Sequence, residues 1–189
     1  RGQKVLLSIG GAEGIIHIAT AEEAENFATS LINILVRDGY DGIDIDLEGG
    51  SLGGCTLEHL LSAFQQILDS DQLPENFMLT MAPETIYVTS AEYVGALNFY
   101  REALRRFKDQ LSFIHMQYYN SGPMIGADNN LHTQATPGFV VQLTKKMIDE
   151  FDIHPSQVAI GIPATGPAAP AGGYMNPATV SETFDQLLT

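Results

Sequence analysis

The clearest chemical signal in the sequence is a run in which acidic and aliphatic residues alternate, Asp41-Gly42-Ile43-Asp44-Ile45-Asp46-Leu47-Glu48. Side chains alternate between the two faces of a β-strand, so Asp44, Asp46 and Glu48 are expected on one face. A parallel sheet covered by helices is apolar on both faces, and three acids on one face break that rule. Crowded carboxylates raise one another's pKa, so one of them stays protonated near neutral pH and can act as a general acid. Glu48, at the end of the row, is the candidate for that role.

The acidic run has three other interpretations. A solvated strand face is one, but it fits poorly in a βα protein, where helices cover the sheet. A calcium loop of the EF-hand type needs Glu at the twelfth position counted from Asp44, and that position is Cys55. A carboxylate metal site is the third, but no His stands beside the acids, and the His residues of the chain follow no metal-ligand spacing. The sequence therefore predicts neither a metal nor a cofactor.

The elements that must position these acids follow a βα pattern, because strand-length apolar runs alternate with helical stretches five times. The predicted strands cover residues 4–9, 42–47, 77–82, 112–118 and 158–162. Helices are predicted over 20–38 and 56–68 and, after a loop at Ser90, around 97–107. Two more are predicted, one from the end of the 120–137 loop to about 151 and one that begins at 177. Thr20 with Glu23 has the spacing of a capping box, and Gly39 is expected to end that helix. Residues 120–137 and 163–173 are predicted loops.

Two architectures fit five βα units. An open doubly wound sheet can be complete with five. Divided among five units, 189 residues give about 38 each, and eight such units would total about 300, a size typical of a (β/α)8 barrel. Three units of that barrel would then be absent from the chain.

Composition excludes several classes of protein. Lys and Arg number 9 and Asp and Glu 23, a formal net charge of −14. That charge argues against nucleic acid and anionic membranes as partners, since both attract clustered cations. No apolar stretch approaches the roughly 18 residues that a membrane span needs. Cys55 is the single cysteine, so an internal disulfide and a cysteine zinc site are both excluded. The oligomeric state is left open, and a monomer is expected.

The acidic run and three further segments resemble the sequence pattern of glycoside hydrolase family 18, which includes the chitinases. The run matches the family's Asp-x-x-Asp-x-Asp-x-Glu motif on a barrel strand. The other segments resemble the ends of the family's strands three, five and six and stand in the same order: Ser8-Ile9-Gly10-Gly11, Met81-Ala82-Pro83-Glu84 and Met116-Gln117-Tyr118-Tyr119-Asn120. The Gln-x-Tyr-Asn of the last segment is most similar to the bacterial and plant-type branch. The resemblance implies that residues 1–189 form strands three to seven of a catalytic (β/α)8 barrel.

The resemblance also implies a mechanism and its residues. Family members cleave β-1,4 bonds between N-acetylglucosamine units with retention, and the substrate's own acetamido oxygen is the nucleophile. Glu48 would protonate the glycosidic oxygen and later activate water. Asp46 would bind the acetamido N–H and stabilise the oxazolinium ion, and Asp44 would share a proton with Asp46. Tyr119 would donate its hydroxyl toward the acetamido oxygen. Further substrate contacts are expected from Gln117, Met81, Asn120 and Gly11.

The chain also departs from the family pattern. The family barrel ends on an eighth strand with a Trp beneath the sugar, and two strands precede its Ser-x-Gly-Gly segment, yet this chain has no Trp and starts at the third strand. We therefore expect a fragment of a secreted chitinase whose substrate is chitin or chitooligosaccharide. Two alternatives stay open. One is an endo-β-N-acetylglucosaminidase acting on N-glycans with the same acids. The other is a non-catalytic chitin-binding relative, against which the acid at Glu48 counts.

Overall fold

The structure, a computed structural model, describes residues 2–90 and 95–188. Its strands are β1 (Leu6–Gly10), β2 (Gly42–Asp46), β3 (Met78–Met81), β4 (Leu111–Gln117), β5 (Met124–Ile125), β6 (Leu131–His132) and β7 (Val158–Gly161). Its α-helices are α1 (Ala21–Asp38), α2 (Gly49–Gly54), α3 (Leu57–Leu68), α4 (Thr85–Thr89), α5 (Phe99–Phe107), α6 (Pro137–Phe151) and α7 (Pro177–Leu187). This alternation of strands and helices confirms the α/β class. Ser90, at which a loop is predicted, is followed by residues 91–94, which lie outside the described residues.

The chain divides into two compact units. The first comprises residues 1–82 and 92–113, and the second comprises residues 83–91 and 114–189. Among the helices of residues 2–90 and 95–188, none is long and apolar enough to cross a membrane.

Three parallel strands form the sheet of the first unit. They are hydrogen-bonded in chain order, β1-β2-β3, with Leu6 opposite Gly42 and Gly42 opposite Met78. Gly42 permits this close pairing, because a Cβ there would lie 2.3 Å from the carbonyl oxygen of Met78. Consecutive parallel neighbours of this kind are expected of a barrel segment, and each half of a doubly wound sheet has them as well.

Helices of the first unit are placed by local signals and by an aromatic core. Thr20 and Glu23 make both bonds of the predicted capping box at the start of α1. Gly39 ends that helix in the left-handed conformation, at φ 72°. The ring of Phe64, on α3, packs 5.9 Å from the ring of Phe27 on α1 and 5.5 Å from that of Phe99 on α5. These contacts hold α5 in the unit that carries the acidic run.

The second unit pairs β4 with β7 in parallel, with Ile114 opposite Val158. In the stretch of chain that connects β4 to β7, β5 and β6 form a separate antiparallel hairpin, in which Met124 lies opposite His132. Thr136 caps α6 by accepting a hydrogen bond from the backbone N of Phe139, and Asn176 caps α7 in the same manner. The predicted start of α7 at residue 177 is confirmed.

Three elements were not expected from the sequence. Helix α2 has the sequence GGSLGG, which offers no apolar periodicity, and α4 is five residues long. The hairpin lies within residues 120–137, which were predicted as loop, and its strands have two residues each. Segments this short have no periodic pattern, so tertiary contacts decide them. Thr56, inside the predicted 56–68 helix, directly precedes α3 and makes no capping bond, because its hydroxyl donates to the carbonyl oxygen of Ala19.

Candidate active site

The three acids of the run share the accessible face of β2 and its continuation. Asp44, Asp46 and Glu48 are half-buried, whereas the aliphatic residues between them, Ile43, Ile45 and Leu47, are completely buried. The alternation continues two residues beyond the end of β2, to Glu48. The first unit therefore brings the three predicted carboxylates together in one row, on an apolar support.

Asp44 is held by a hydroxyl from each neighbouring strand. The Ser8 hydroxyl of β1 donates to Asp44 Oδ2 at 3.0 Å, and the Thr80 hydroxyl of β3 donates to Asp44 Oδ1 at 2.6 Å. The strand register places both residues directly beside Asp44. The carboxylate is thus fixed in orientation at the first position of the row. Only the tertiary structure identifies Thr80 as a partner, since an isolated Thr on a strand gives no sign of what it binds.

Asp46 lies beside Gly10, the last residue of β1, and Gly11, which follows it. The backbone N of Gly11 donates to the carbonyl oxygen of Asp46 at 2.6 Å. Gly10 has φ +109°, and a Cβ at Gly10 would lie 2.1 Å from the same oxygen. A Cβ at Gly11 would lie 3.8 Å from Asp46 Oδ2. The Gly-Gly pair therefore lets backbone approach Asp46 closely, and a substrate contact by Gly11 stays a prediction.

Glu48 stands at the carboxyl end of the strand, immediately before α2. Its carbonyl oxygen accepts a hydrogen bond from the backbone N of Ser51 at 2.9 Å, whereas its side chain makes no capping bond to the helix. Active sites of barrel enzymes lie at this end of the strands. Glu48 therefore lies at the end of the strand where barrel enzymes carry their active sites.

Tyr100 of α5 makes a positioning contact that no pattern in the sequence indicates. Its side chain is completely buried, and its hydroxyl oxygen accepts a hydrogen bond from the backbone N of Leu47 at 2.6 Å. The hydroxyl also lies 3.2 Å from the carbonyl oxygen of Ile45 and 3.1 Å from that of Leu47. Burial, and then the negative charge of Asp46, raises the pKa of Tyr100 well above its ordinary value, so the hydroxyl stays neutral. Tyr100 thereby holds the backbone between the last two acids.

Two further residues of the first unit take different positions. Met81, an expected substrate contact, lies on β3, where it is 0% exposed and belongs to the core. Asp41 lies at the other end of β2, where it accepts hydrogen bonds from Lys4 Nζ at 2.7 Å and from the backbone N of Val5 at 2.9 Å. The bond from Lys4, followed by that from Val5, lowers the pKa of Asp41. These contacts give Asp41 a structural role at the start of the strand.

The second unit carries the other predicted site residues at the end of β4. Gln117 is buried, and its backbone N donates to the carbonyl oxygen of Pro83 at 2.8 Å. Tyr119 is half-buried, and Asn120 is exposed with a left-handed backbone at φ 51°. The Asn120 side-chain oxygen accepts a hydrogen bond from the backbone N of Ala171 at 3.0 Å. The side-chain oxygen of Asn120 is thus already hydrogen-bonded within the protein. Substrate contacts by Gln117 and Asn120 stay predictions.

The described residues contain no cluster of three or more His, Cys, Asp or Glu side chains that could hold a metal ion. The carboxylates of the first unit can transfer protons and stabilise positive charge.

The sequence of this chain matches one known family of proteins. The family model described as "Glycosyl hydrolases family 18" matches residues 1–183. Chitinase Chi52 of Paenibacillus xylanexedens is 33% identical over all of this chain, and the match covers 40% of that protein. Endochitinase 4 of Metarhizium anisopliae is 36% identical over 97% of this chain and 70% of its own length.

Comparison of structures gives the same answer. The crystal structure of a family GH18 chitinase from Chromobacterium violaceum matches 97% of this chain and 53% of its own chain, with a TM-score of 0.85 and 32% identity. The fold is therefore α/β of the TIM-barrel type, and the doubly wound alternative is not supported. The chain spans 40% of the length of the Paenibacillus relative and about half of the solved chitinase.

Proposed function

The chain belongs to family 18 of the glycosyl hydrolases, and from this membership we propose that it hydrolyses the β-1,4 bonds between N-acetylglucosamine units of chitin. The observation that carries the proposal is the row of Asp44, Asp46 and Glu48 on one accessible strand face above a fully buried aliphatic face. A parallel strand gains no stability from three adjacent acids, so their presence points to chemistry.

Glu48 is the proposed acid and base. The substrate's acetamido oxygen attacks the anomeric carbon while the bond to the leaving oxygen breaks, and Glu48 gives its proton to that oxygen. The product of this step is a cyclic oxazolinium ion. Water then attacks the same carbon, Glu48 accepts a proton from the water, and the ring opens. Two displacements at one carbon leave its configuration retained. The position of Glu48 at the carboxyl end of β2 supports this role.

Asp46, Asp44 and Tyr119 are proposed to stabilise the charge that develops in this reaction. Asp46 binds the acetamido N–H and its negative charge stabilises the oxazolinium ion. Asp44 shares a proton with Asp46, and the hydroxyls that fix Asp44 support this role by preventing the carboxylate from turning away. Tyr119 donates its hydroxyl toward the acetamido oxygen.

The chain is further proposed to supply about five of the eight βα units of a barrel and to act outside the cell. The coverage of about half of a solved family member supports the first statement. The second follows from the family resemblance alone.

The test is hydrolysis of N-acetylglucosamine oligomers by the protein as it is naturally produced and by its Glu48→Gln variant. General acid catalysis contributes about 10²- to 10⁴-fold, so we expect the variant to lose at least about 100-fold in kcat while its unfolding transition is unchanged. Glu58→Gln is the matched control, because Glu58 is an exposed acid at the start of α3 in the same unit. If Glu48→Gln kept more than about a tenth of the parent's turnover, Glu48 could not be the general acid.

A second substrate separates the proposed activity from the alternatives. We expect release of sugar from chitin oligomers and none from a glycoprotein that carries N-glycans. Cleavage of the glycoprotein alone would identify an endo-β-N-acetylglucosaminidase. Binding of chitin oligomers without any hydrolysis would identify a non-catalytic relative.

A further inference from the structure

Gln134 bridges the loop after β4 to the loop after β7. Its side-chain oxygen accepts a hydrogen bond from the backbone N of Ser121 at 2.9 Å. Its side-chain NH₂ group donates to the carbonyl oxygen of Ala171 at 2.7 Å. We propose that Gln134 is a positioning residue that fixes Tyr119 for the reaction through this bridge. This inference rests on the proposed function, in which Tyr119 binds the acetamido group.

The two loops that Gln134 joins meet directly around Tyr119. The backbone N of Asn120 donates to the carbonyl oxygen of Gly172 at 2.9 Å. Gly173 packs so closely that a Cβ there would lie 2.5 Å from both Cα and Cβ of Tyr119. The position of the 171–173 segment therefore determines where the backbone of Tyr119 lies. Gln134 controls both sides of this contact, because it binds Ala171 on one loop and Ser121 on the other.

Ser121 transmits the constraint back to Tyr119. The Ser121 hydroxyl lies 3.1 Å from the carbonyl oxygen of Tyr119, to which it can donate, and 2.7 Å from the Thr85 hydroxyl. A shift of Ser121 would therefore move the carbonyl group of Tyr119 itself. Gln134, Ser121 and Asn120 line a cavity of about 420 Å³. The hydrogen bonds of Gln134 and Ser121 hold the segment on the side of this cavity.

The backbone beside Gln134 is strained. Ala135 has φ 64°, in the left-handed region that non-glycine residues rarely adopt, and Asn120 has φ 51°. Such conformations persist when the surrounding structure demands them, and they cluster at functional sites. The left-handed residue directly follows Gln134 and precedes Thr136, the N-cap of α6. The chain thus adopts an unfavourable backbone conformation at the point where it must both start α6 and present the Gln134 amide to two loops.

A primary amide is the group that this bridge requires. It offers an acceptor to Ser121 N–H and a donor to the Ala171 carbonyl, and it carries no charge. Glutamate at this position would keep the acceptor, lose the donor and place negative charge against a carbonyl oxygen. Gln134→Glu and Gln134→Ala therefore remove one and both bonds respectively.

The experiment measures kcat and KM on N-acetylglucosamine oligomers for the complete protein and its variants. A misplacement of about 1 Å at a reacting group costs up to about 100-fold, so we expect Gln134→Ala to lower kcat by about 10- to 100-fold with KM changed less than about twofold. Gln134→Glu should lower kcat as well. Thr133→Ala is the control, because it trims the wall of the same cavity and keeps all of these bonds. An unchanged kcat in Gln134→Ala would overturn the proposal.

A double-mutant cycle separates positioning from general weakening of the fold. If Gln134 acts through Tyr119, the Gln134→Ala change should cost less than about threefold in kcat once Tyr119→Phe has removed the hydroxyl. Multiplication of the two single effects would instead show that Gln134 acts elsewhere, and would overturn the proposal.

Hydrogen exchange tests the bridge without any activity. The backbone amides of Asn120 and Ser121 should exchange at least about tenfold faster in Gln134→Ala than in the parent. In the Thr133→Ala control, the same two amides should exchange at the rate of the parent. Unchanged exchange at both amides would overturn the bridge even in a fully active enzyme. Failure of the proposed function looks different: the parent and the Thr133→Ala control would both fail to cleave the oligomers, while the exchange result would still decide whether Gln134 fixes the Tyr119 segment.

Discussion

Tyr100→Phe removes a single oxygen atom at the point where α5 meets the end of β2. The aromatic ring stays, including its edge contact with Phe99 at a ring-centroid distance of 5.3 Å. The change therefore leaves the packing of α5 intact. It removes the acceptor for the backbone N–H of Leu47, which lies between Asp46 and Glu48.

The Leu47 backbone loses the acceptor of its N–H and the hydroxyl that lies 3.1 Å from its carbonyl oxygen. Leu47 is completely buried, so water cannot replace the lost acceptor. The carbonyl oxygen of Ile45 keeps a partner in the backbone N of Ala82, at 2.8 Å. One buried unsatisfied donor costs about 1 to 3 kcal/mol, and this is the expected loss in the free energy of unfolding. For a chain of this size the thermal midpoint should fall by about 2 to 12 °C.

Urea unfolding of the parent and the variant measures this loss. The slope with urea should stay the same, because the surface exposed on unfolding hardly changes. Measurements below about pH 9 keep Tyr100 neutral in the folded and the unfolded chain, so the difference should not vary with pH there. In the oligomer assay, kcat should fall by about tenfold, because the backbone that joins Asp46 to Glu48 loses its anchor.

Tyr118→Phe is the matched control for this prediction. Tyr118 is also completely buried, and its hydroxyl is hydrogen-bonded to the hydroxyl of Thr144 on α6. The Thr144 hydroxyl can turn to the carbonyl oxygen of Val140 in its own helix, so no donor is orphaned and the loss should be below about 1 kcal/mol. Equal losses for the two variants, or a loss below about 0.5 kcal/mol for Tyr100→Phe, would refute the reasoning about Leu47.

Three further predictions follow from the site and its surroundings. Asp46→Ala should weaken inhibition by a thiazoline mimic of the oxazolinium ion more than binding of intact chitin oligomer, because the charge that Asp46 stabilises develops near the transition state. Gly10→Ala should prevent stable folding, since its Cβ would meet the carbonyl oxygen of Asp46 at 2.1 Å and φ is +109°. Hydrogen bonds from Asn130, and then from His132, lower the pKa of Asp128 to about 2. The stability that the Asp128 carboxylate contributes is therefore present above its unfolded pKa of about 3.9 and is lost as pH falls toward 2, so the urea midpoints of the parent and Asp128→Ala should converge there.

Each of these three has an outcome that contradicts it. Equal losses for inhibitor and oligomer would make Asp46 a plain substrate-binding residue. A thermal melt of Gly10→Ala that matches the parent would contradict the close approach, and Gly53→Ala on α2 is its control, because a Cβ there meets nothing within 4 Å. A difference between the parent and Asp128→Ala that persists undiminished at pH 2 would show that Asp128 does not act through its charge.

Much of the fold could be predicted because its signals are local. The alternation of β2 has period two, and the Thr20 capping box and the left-handed Gly39 each act within a few residues. By contrast, α2 and the β5–β6 hairpin have too few residues for a pattern, and the glycines of α2 even argue against a helix. Such segments take their form from the parts of the chain that pack against them.

The sequence by itself determined which acids share a face and in what order they stand, because strand geometry alone places Asp44, Asp46 and Glu48 on one side. Only the tertiary structure decided what holds them. Ser8 and Asp44 are 36 residues apart, and Tyr100 and Leu47 are 53 apart. A hydroxyl in a strand or a helix can bond to many partners, and no local pattern records which one it meets. Register and helix packing make that choice, since they bring distant segments to within about 3 Å, the distance at which a hydrogen bond forms.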